Sequence, residues 1–351
     1  VDCRRCFSQQ SSKIALAVLL VSLSACIGAR PGPATLNRAD ALVDIAVDSP
    51  IDAGSFDLAH YRRSLTAANP PHRVTPKRAA SRQGPTTIGY STGGLPIESY
   101  TIGDGPLRIA FVGGIHGGTE WNTVLLAYTA IDYFRRYPER LPPAVTLQII
   151  PAANPDGLRR VTGRWGRFQP ADVDQTASDG RFNGNGVDLN RNWDCAWSAT
   201  AWWGSTPTSG GDAPFSERET RVLRDFFLGE KGGLLPVQGV VFWHSAVPGV
   251  FAGGCEGVYP AAERLAMIYA RAAGYPSGDA FSFYPITGDA TNWLSLQQIP
   301  AITVELRTRD AAEWPQNLAG MVAALDYLAG RDLVPVGDDA GVVTPVRGFS
   351  R

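Results

Sequence analysis

From Thr86 to Ala329 the chain alternates short β-branched, apolar runs with longer segments whose apolar residues recur at helical spacing. TTIGYS and IESYTIG flank the turn-like TGGLP as a hairpin, and the strand LRIAFVGGI follows. The helix WNTVLLAYTAIDYFRRY, the strand VTLQIIPAA and a long polar loop come next, then the helix SERETRVLRDFFLG and the strand QGVVFWHS. The series closes with the helix PAAERLAMIYARAA, the strand AITVEL and the helix NLAGMVAALDYLA. Strands alternating with helices bury both kinds of element only when helices cover both faces of one sheet, so the expected class is α/β. Ligands of such sheets gather in the crevice beyond the strand ends, and candidate residues are sought there.

The segments outside 86–330 have a different character. Arg4, Arg5 and Lys13 precede the apolar run IALAVLLVSLSA, which is too short to span a bilayer and reads as an export signal over residues 1–25. LSAC, Leu23 to Cys26, resembles the bacterial lipobox, in which the cysteine is lipidated and becomes the first mature residue; the alternative is an ordinary cleaved signal with an incidental cysteine. The expected product is an exported, membrane-anchored protein of the cell envelope. Residues 26–85, rich in Ala, Pro, Asp and Arg, suit a tether with one short helix around DLAHYRRSL, and residues 331–351 read as a loop-like tail. His60 and His72 fall in the tether, away from any element that would hold them rigidly. Three of the five cysteines lie in or at the end of the leader. The other two, Cys195 and Cys255, are expected to pair in an oxidising compartment, two buried free thiols being the alternative. A formal net charge of -1 presents no surface for a polyanion, which argues against nucleic acid as a partner.

Two of the four histidines stand at strand ends. His116 follows LRIAFVGGI, Glu120 opens the next helix, and His244 closes QGVVFWHS. A lone histidine at a strand end is more often a packing residue than a ligand. Two of them with a carboxylate in one sheet form a usual catalytic zinc set, with a fourth position left for water.

Further motifs accompany them in order: NPDG at 154–157, GRFNGNGVDLNRNW at 180–193, YPITGDATNW at 284–293 and TVEL at 303–306. With the histidine segment, these resemble the zinc carboxypeptidase (carboxypeptidase A/B-like) family over about Thr86 to Ala329. The resemblance implies a mixed β-sheet flanked by helices on both faces, a single Zn2+, and hydrolysis of the peptide bond next to a free C-terminal carboxylate. It makes His116, Glu120 and His244 the metal ligands and Glu305 the general base, a role in which a positioned carboxylate takes a proton from water and passes it to the leaving amine. Arg181 matches the arginine that meets the oxyanion, with Arg159, Arg160, Arg164 and Arg167 as competitors for that role. Asn190 and Arg191 correspond to the pair that docks the substrate carboxylate, a task suited to a planar guanidinium fork. Asp188 would orient His116 from behind the metal. Tyr284, nine residues before Trp293, matches a mobile active-site tyrosine. Thr291 falls where the family lines the terminal side-chain pocket, and a basic-residue pocket is disfavoured unless Asp289 supplies charge.

One feature departs from the family pattern. The first histidine and glutamate are usually spaced HxxE, whereas this chain reads HGGTE. Gly117 and Gly118 give the loop freedom to absorb the extra residue and still aim Glu120 inward. The insertion also leaves no match for the family's arginine in that stretch, so polarisation of the scissile carbonyl would fall on Arg181 and the metal.

Three other readings compete. GYSTG, Gly89 to Gly93, fits G-x-S-x-G, but an elbow must join a strand to a helix and here a strand follows, so Ser91 is disfavoured as a nucleophile. A zinc-dependent N-acyl-amino-acid deacylase or amidase would keep the metal and Glu305. A metal-free peptide-binding lipoprotein would keep the cleft alone, with Trp197, Trp202 and Trp203 either forming a binding wall or packing a long loop. Export to the envelope makes cell-wall peptides one candidate substrate.

Overall fold

In the computed structural model the described residues are 84–330, apart from 175, 177–179, 231–233 and 279. The leader, the lipidation site Cys26, most of the tether with His60 and His72, and the tail lie outside them. Among the described residues no helix is long and apolar enough to cross a membrane.

The chain begins with the expected hairpin, β1 (Thr86–Tyr90) and β2 (Pro96–Ile102), followed by β3 (Leu107–Val112), α1 (Trp121–Arg136) and β4 (Val145–Ile150). Then come α2 (Pro155–Thr162), a separate hairpin of β5 (Thr200–Trp203) and β6 (Thr206–Ser209), α3 (Arg218–Leu228), β7 (Gly239–Ser245) and β8 (Gly249–Ala252). The order ends with α4 (Pro260–Ala273), β9 (Ser277–Gly278), α5 (Ala290–Leu296), β10 (Ala301–Leu306) and α6 (Trp314–Leu328). The main sheet has eight strands in the order β1-β2-β4-β3-β7-β10-β8-β9. Its centre, β4-β3-β7-β10, is parallel, whereas β1 to β2, β2 to β4 and β8 to β10 run antiparallel. The sheet is therefore mixed.

Period-two alternation divides the core between its faces. Ile109 and Phe111 of β3 pack with residues of α1, α4 and α6, and Ala110 and Val112 pack with residues of α3 and α5. Helices thus cover both sides, as the sequence pattern requires. From β3 the chain crosses to β4 on one side and later returns as β7 on the other, so a topological switch point opens between β3 and β7, the usual place for a crevice in an open α/β sheet. The segment after β3 and the end of β7 flank this point.

Elements inside the polar stretch were not legible in advance. NPDG starts α2: the Asn154 side chain accepts the Gly157 N–H at 2.9 Å and Pro155 occupies the first turn. Ser91 sits in the β1–β2 turn, buried, and its hydroxyl donates to Asp156 at 2.8 Å while accepting the Leu95 N–H. Those bonds hold a turn and offer no nucleophile.

Cys195 and Cys255 form the expected disulfide, with Cα atoms 5.8 Å apart. The bridge fastens the segment after Trp193 to the loop after β8. Closing a loop of 60 residues in the unfolded chain should stabilise the protein by about 4 kcal/mol. The double variant Cys195→Ser/Cys255→Ser is expected to lose stability of that size, seen as a smaller free energy of unfolding in urea with an m-value at or above that of wild type, because the open chain exposes more surface when unfolded; an unchanged free energy would remove the bridge from the stabilising contacts.

Candidate metal centre and cleft

His244 and Glu305 are register partners at the ends of the adjacent parallel strands β7 and β10. Alternation along each strand gives them the same face, the one on which Val240, Phe242 and Ala301 pack. His116 and Glu120 come from the turn that joins β3 to α1. That turn is tied down at both ends: Gly113 N–H donates to Ile150 O and Gly118 N–H to Gly180 O, both at 2.9 Å. Gly117 has φ +48°, and a Cβ there would lie 2.5 Å from Gly180 O, so the left-handed turn and the tight approach both require glycine.

This turn absorbs the extra residue of HGGTE. His116 Nδ1 lies 2.7 Å from Glu120 Oε1, His244 Nδ1 lies 3.1 Å from Glu120 Oε2, and the two Nδ1 atoms are 3.2 Å apart. All three residues are buried. Metal–nitrogen and metal–oxygen bonds of about 2.0–2.1 Å in a tetrahedron put ligand atoms about 3.3 Å apart, which these separations approach. Two imidazole nitrogens facing each other at 3.2 Å cannot both be satisfied by each other's lone pairs; a divalent cation between them and the carboxylate satisfies all three. The donor set therefore fits zinc. Burial alone would raise the Glu120 carboxyl, but His116 and then His244 hold it well below the usual carboxylate range. The backbone N–H of Ser245 also donates to Glu120 Oε2 at 3.2 Å.

Behind the imidazole, His116 Nε2 meets Asp188 Oδ1 at 3.2 Å, leaving Nδ1 to face the centre. Asp188 is buried, and Arg181 first, then His116 and Arg191, keep its carboxyl well below its ordinary range against the opposing effect of burial. Asp188 Oδ2 accepts from Arg181 Nε at 2.8 Å and Nη2 at 2.7 Å. Arg181 Nη1 comes within 3.6 Å of Glu120 Oε1. Of the five arginines considered for the oxyanion, Arg181 is the one beside the centre. Arg159 is exposed, Arg160 donates to the carbonyls of Phe182 and Asn183, Arg164 pairs with Asp172, and Arg167 pairs with Asp132.

Glu305 is buried, and burial pushes its carboxyl up to about 7, with His244 opposing the rise and Glu120 adding to it. Its Oε2 accepts the Val247 N–H at 3.2 Å.

A cleft is lined by both imidazoles and Glu305, by Asn190, Arg191, Tyr284 and Thr291, and by Phe251, Phe281 and Ile286. Arg191 is anchored by backbone carbonyls: Nη1 donates to Asn190 O at 2.6 Å, and Nε and Nη2 donate to Trp202 O at 3.2 and 3.1 Å. The Tyr284 hydroxyl is 3.5 Å from Arg191 Nη2, and burial raises its pKa. Asp289 caps α5. Its Oδ1 accepts from Thr291 N, Thr291 Oγ1 and Asn292 N, and its Oδ2 accepts from Asn190 Nδ2, all between 2.6 and 3.0 Å. That carboxylate is committed to the scaffold. Phe251 and Phe281, in contact at 5.4 Å between ring centroids, line the cleft without any signal in the linear sequence, because β8 and the segment before Tyr284 meet only in the fold.

Residues 78–247 match the zinc carboxypeptidase family. A zinc carboxypeptidase of Simulium vittatum is 30% identical over 180 residues, which is 46% of this chain and 56% of that protein, so the chain spans little more than half the length of this curated relative. In fold the chain is similar to bovine thrombin-activatable fibrinolysis inhibitor in complex with a tick carboxypeptidase inhibitor, with 17% identity and a TM-score of 0.56, covering 71% of this chain and 91% of that one. It is similar too to the carboxypeptidase A of Helicoverpa armigera, with 21% identity and a TM-score of 0.52 over 71% and 68% of the two chains. The murein-tripeptide amidase MpaA of Escherichia coli O157 gives 20% identity and a TM-score of 0.50 over 75% and 98%.

Proposed function

We propose that this chain, whose residues 78–247 match the zinc carboxypeptidase family, is a metallocarboxypeptidase that removes a residue bearing a free C-terminal carboxylate. The observation that carries the reading is the convergence of His116, Glu120 and His244 beside Glu305, His244's register partner. One Zn2+ held by the three ligands would supply Lewis-acid polarisation and a water activated near neutral pH.

The chain's own residues supply the rest. Glu305, ionised, takes a proton at a carboxylate oxygen and delivers it to the leaving nitrogen. Arg181, fixed by Asp188, faces charge that develops on the carbonyl oxygen only in the transition state. Asn190 and Arg191 receive the terminal carboxylate, with Tyr284 closing beside Arg191. Asp188 holds His116 in the tautomer that leaves Nδ1 free. The Cys195–Cys255 bridge supports a location in an oxidising compartment, in line with export and anchoring through Cys26.

The test is product analysis on the zinc-loaded protein. Release of a single terminal residue from peptides with a free carboxylate, and none from the same peptides amidated, is the expected result. Hydrolysis of N-acyl amino acids alone would transfer the assignment to a deacylase, and cleavage of murein tripeptides alone to an amidase of the kind its Escherichia coli neighbour is named for. A protein that takes up no zinc would be a binding protein.

The same panel reads the terminal side chain. Phe251, Phe281 and Ile286 offer apolar surface, and Asp289 has its oxygens occupied by α5 and Asn190. A cationic terminus would therefore be desolvated without a partner. Peptides ending in Phe or Leu are expected to exceed those ending in Lys or Arg by at least about tenfold in kcat/KM, equivalent to about 1.4 kcal/mol. Equal rates for Lys-terminated peptides would show that Asp289 is available after all.

A further inference from the structure

The β5–β6 hairpin holds none of the residues assigned to the reaction, yet it touches the supports of several. Ser209 O accepts the Asp188 N–H at 2.9 Å, Trp202 O takes two donors of Arg191, and the Trp203 ring lies over Arg181 with its centroid 4.7 Å from Cζ. Along β5, the Trp202 ring is exposed while Ala201 is buried and Trp203 is half-buried. That alternation turns the Trp203 indole inward over the guanidinium.

We infer that Trp203 is a positioning residue for Arg181, fixing the tilt of its guanidinium plane. This rests on the oxyanion role given to Arg181 above. Both bonds from Arg181 to Asp188 end on a single oxygen, Oδ2. One acceptor shared by Nε and Nη2 forms a pivot: it fixes the distance but lets the plane rock, swinging Nη1 toward or away from the cleft. A contact on the guanidinium face stops that motion. An indole face suits the task because guanidinium stacks on aromatic rings and the attraction strengthens when water is excluded, as it is around the buried Arg181. The hairpin thus orients both arginines, one through a backbone carbonyl and the other through a ring.

The experiment is a double-mutant cycle on the zinc-loaded full chain with a peptide that wild type cleaves, combining Trp203→Leu with Arg181→Met. Leu keeps apolar bulk and removes the aromatic face. Trp203→Leu is expected to lower kcat about tenfold, the size of a desolvated cation–π contact, with KM within about twofold, and to have no further effect beside Arg181→Met. Trp203→Phe is expected to restore kcat to within about threefold of wild type. A readout independent of turnover is hydrogen exchange at Arg181 Nε, expected to be faster in Trp203→Leu than in wild type and near the wild-type rate in Trp203→Phe. The inference is overturned if Trp203→Leu costs as much beside Arg181→Met as alone, if its loss is in KM with kcat unchanged, or if a folded Phe variant falls tenfold. Should Trp203→Leu lack a cooperative thermal transition, Trp203→Phe and Trp203→Tyr decide, since each keeps a face and must hold both kcat and Nε protection. Failure of wild type to release a terminal residue would overturn the proposed function; normal wild-type turnover with an indifferent Trp203 would overturn only this inference.

Discussion

Glu305→Gln is expected to lower kcat by about 10²- to 10⁴-fold while the protein still takes up one equivalent of zinc. The amide preserves shape and can still accept the Val247 N–H, so the change removes the proton acceptor and leaves the scaffold. Glu305 is not one of the converging ligands, and metal content measured by atomic absorption should match wild type. Wild-type turnover in the variant would remove Glu305 from the base role, and loss of zinc would show that it helps to hold the ion.

Its titration gives a second handle. Burial raises the folded-state pKa of Glu305 to about 7, above the ordinary carboxylate value, so the native fold favours the protonated form. The stabilising effect of that preference is present below the unfolded-state pKa and is lost as pH rises through 7. In metal-free protein, Glu305→Gln should therefore gain stability relative to wild type as pH rises across that window, because Gln carries no charge to desolvate. Denaturant midpoints at the two ends of the window measure the gap, and a gap that does not widen with pH would mean that the carboxyl is better solvated than its position beside His244 implies. For catalysis the sign is opposite: the base must be ionised, so kcat/KM falls on the acid side, and a bound cation moves that limb below 7 by favouring the carboxylate.

The parts of this protein that were legible in sequence are those whose burial pattern is local. The central strands β3, β4, β7 and β10 are buried on both faces and read as continuous apolar runs, and α4 carries its apolar stripe from Pro260 to Ala273. β8 escaped notice because GVFA is four residues long between Pro248 and Gly253, too short to show a period, and β9 is shorter still. The β5–β6 hairpin lies in a polar stretch and exposes Trp202, so its contacts with Arg181 and Arg191 have no linear signature. Motif spacing proposes the candidate residues, but their environments needed the fold. Asp289 looks available in YPITGDATNW and proves to be a helix cap, while Arg181, favoured over its four competitors because RFNGNG leads directly into GVDLNRNW, is shown by the fold to lie against Asp188 and Glu120.

Spacing alone also could not say whether HGGTE brings its carboxylate to the imidazoles, and this gives the second large effect: Glu120→Ala is expected to weaken zinc binding by more than about 100-fold, since changes merely behind a ligand already cost about 10- to 100-fold. Glu120 spans the pair, with one oxygen on His116 Nδ1 and the other on His244 Nδ1. Its removal leaves the two imidazoles without the anionic member of the set that converges on a divalent ion. It also deprives the Ser245 N–H of its acceptor and brings two buried nitrogens face to face without a carboxylate between them. Both effects act on the apo fold, so stability should fall together with affinity. Competition with a chromogenic chelator gives the zinc affinity, and denaturation of metal-free samples gives the stability. His116→Ala should weaken binding comparably, yet it should also free Asp188 from one of its partners and leave Arg181 as that carboxylate's chief counter-ion. If Glu120→Ala binds zinc as tightly as wild type, the insertion has retired Glu120 as a ligand. The two histidines would then hold the ion with another acid, and Glu305, among the described residues the cleft-lining carboxylate not committed to a helix cap, would have to serve.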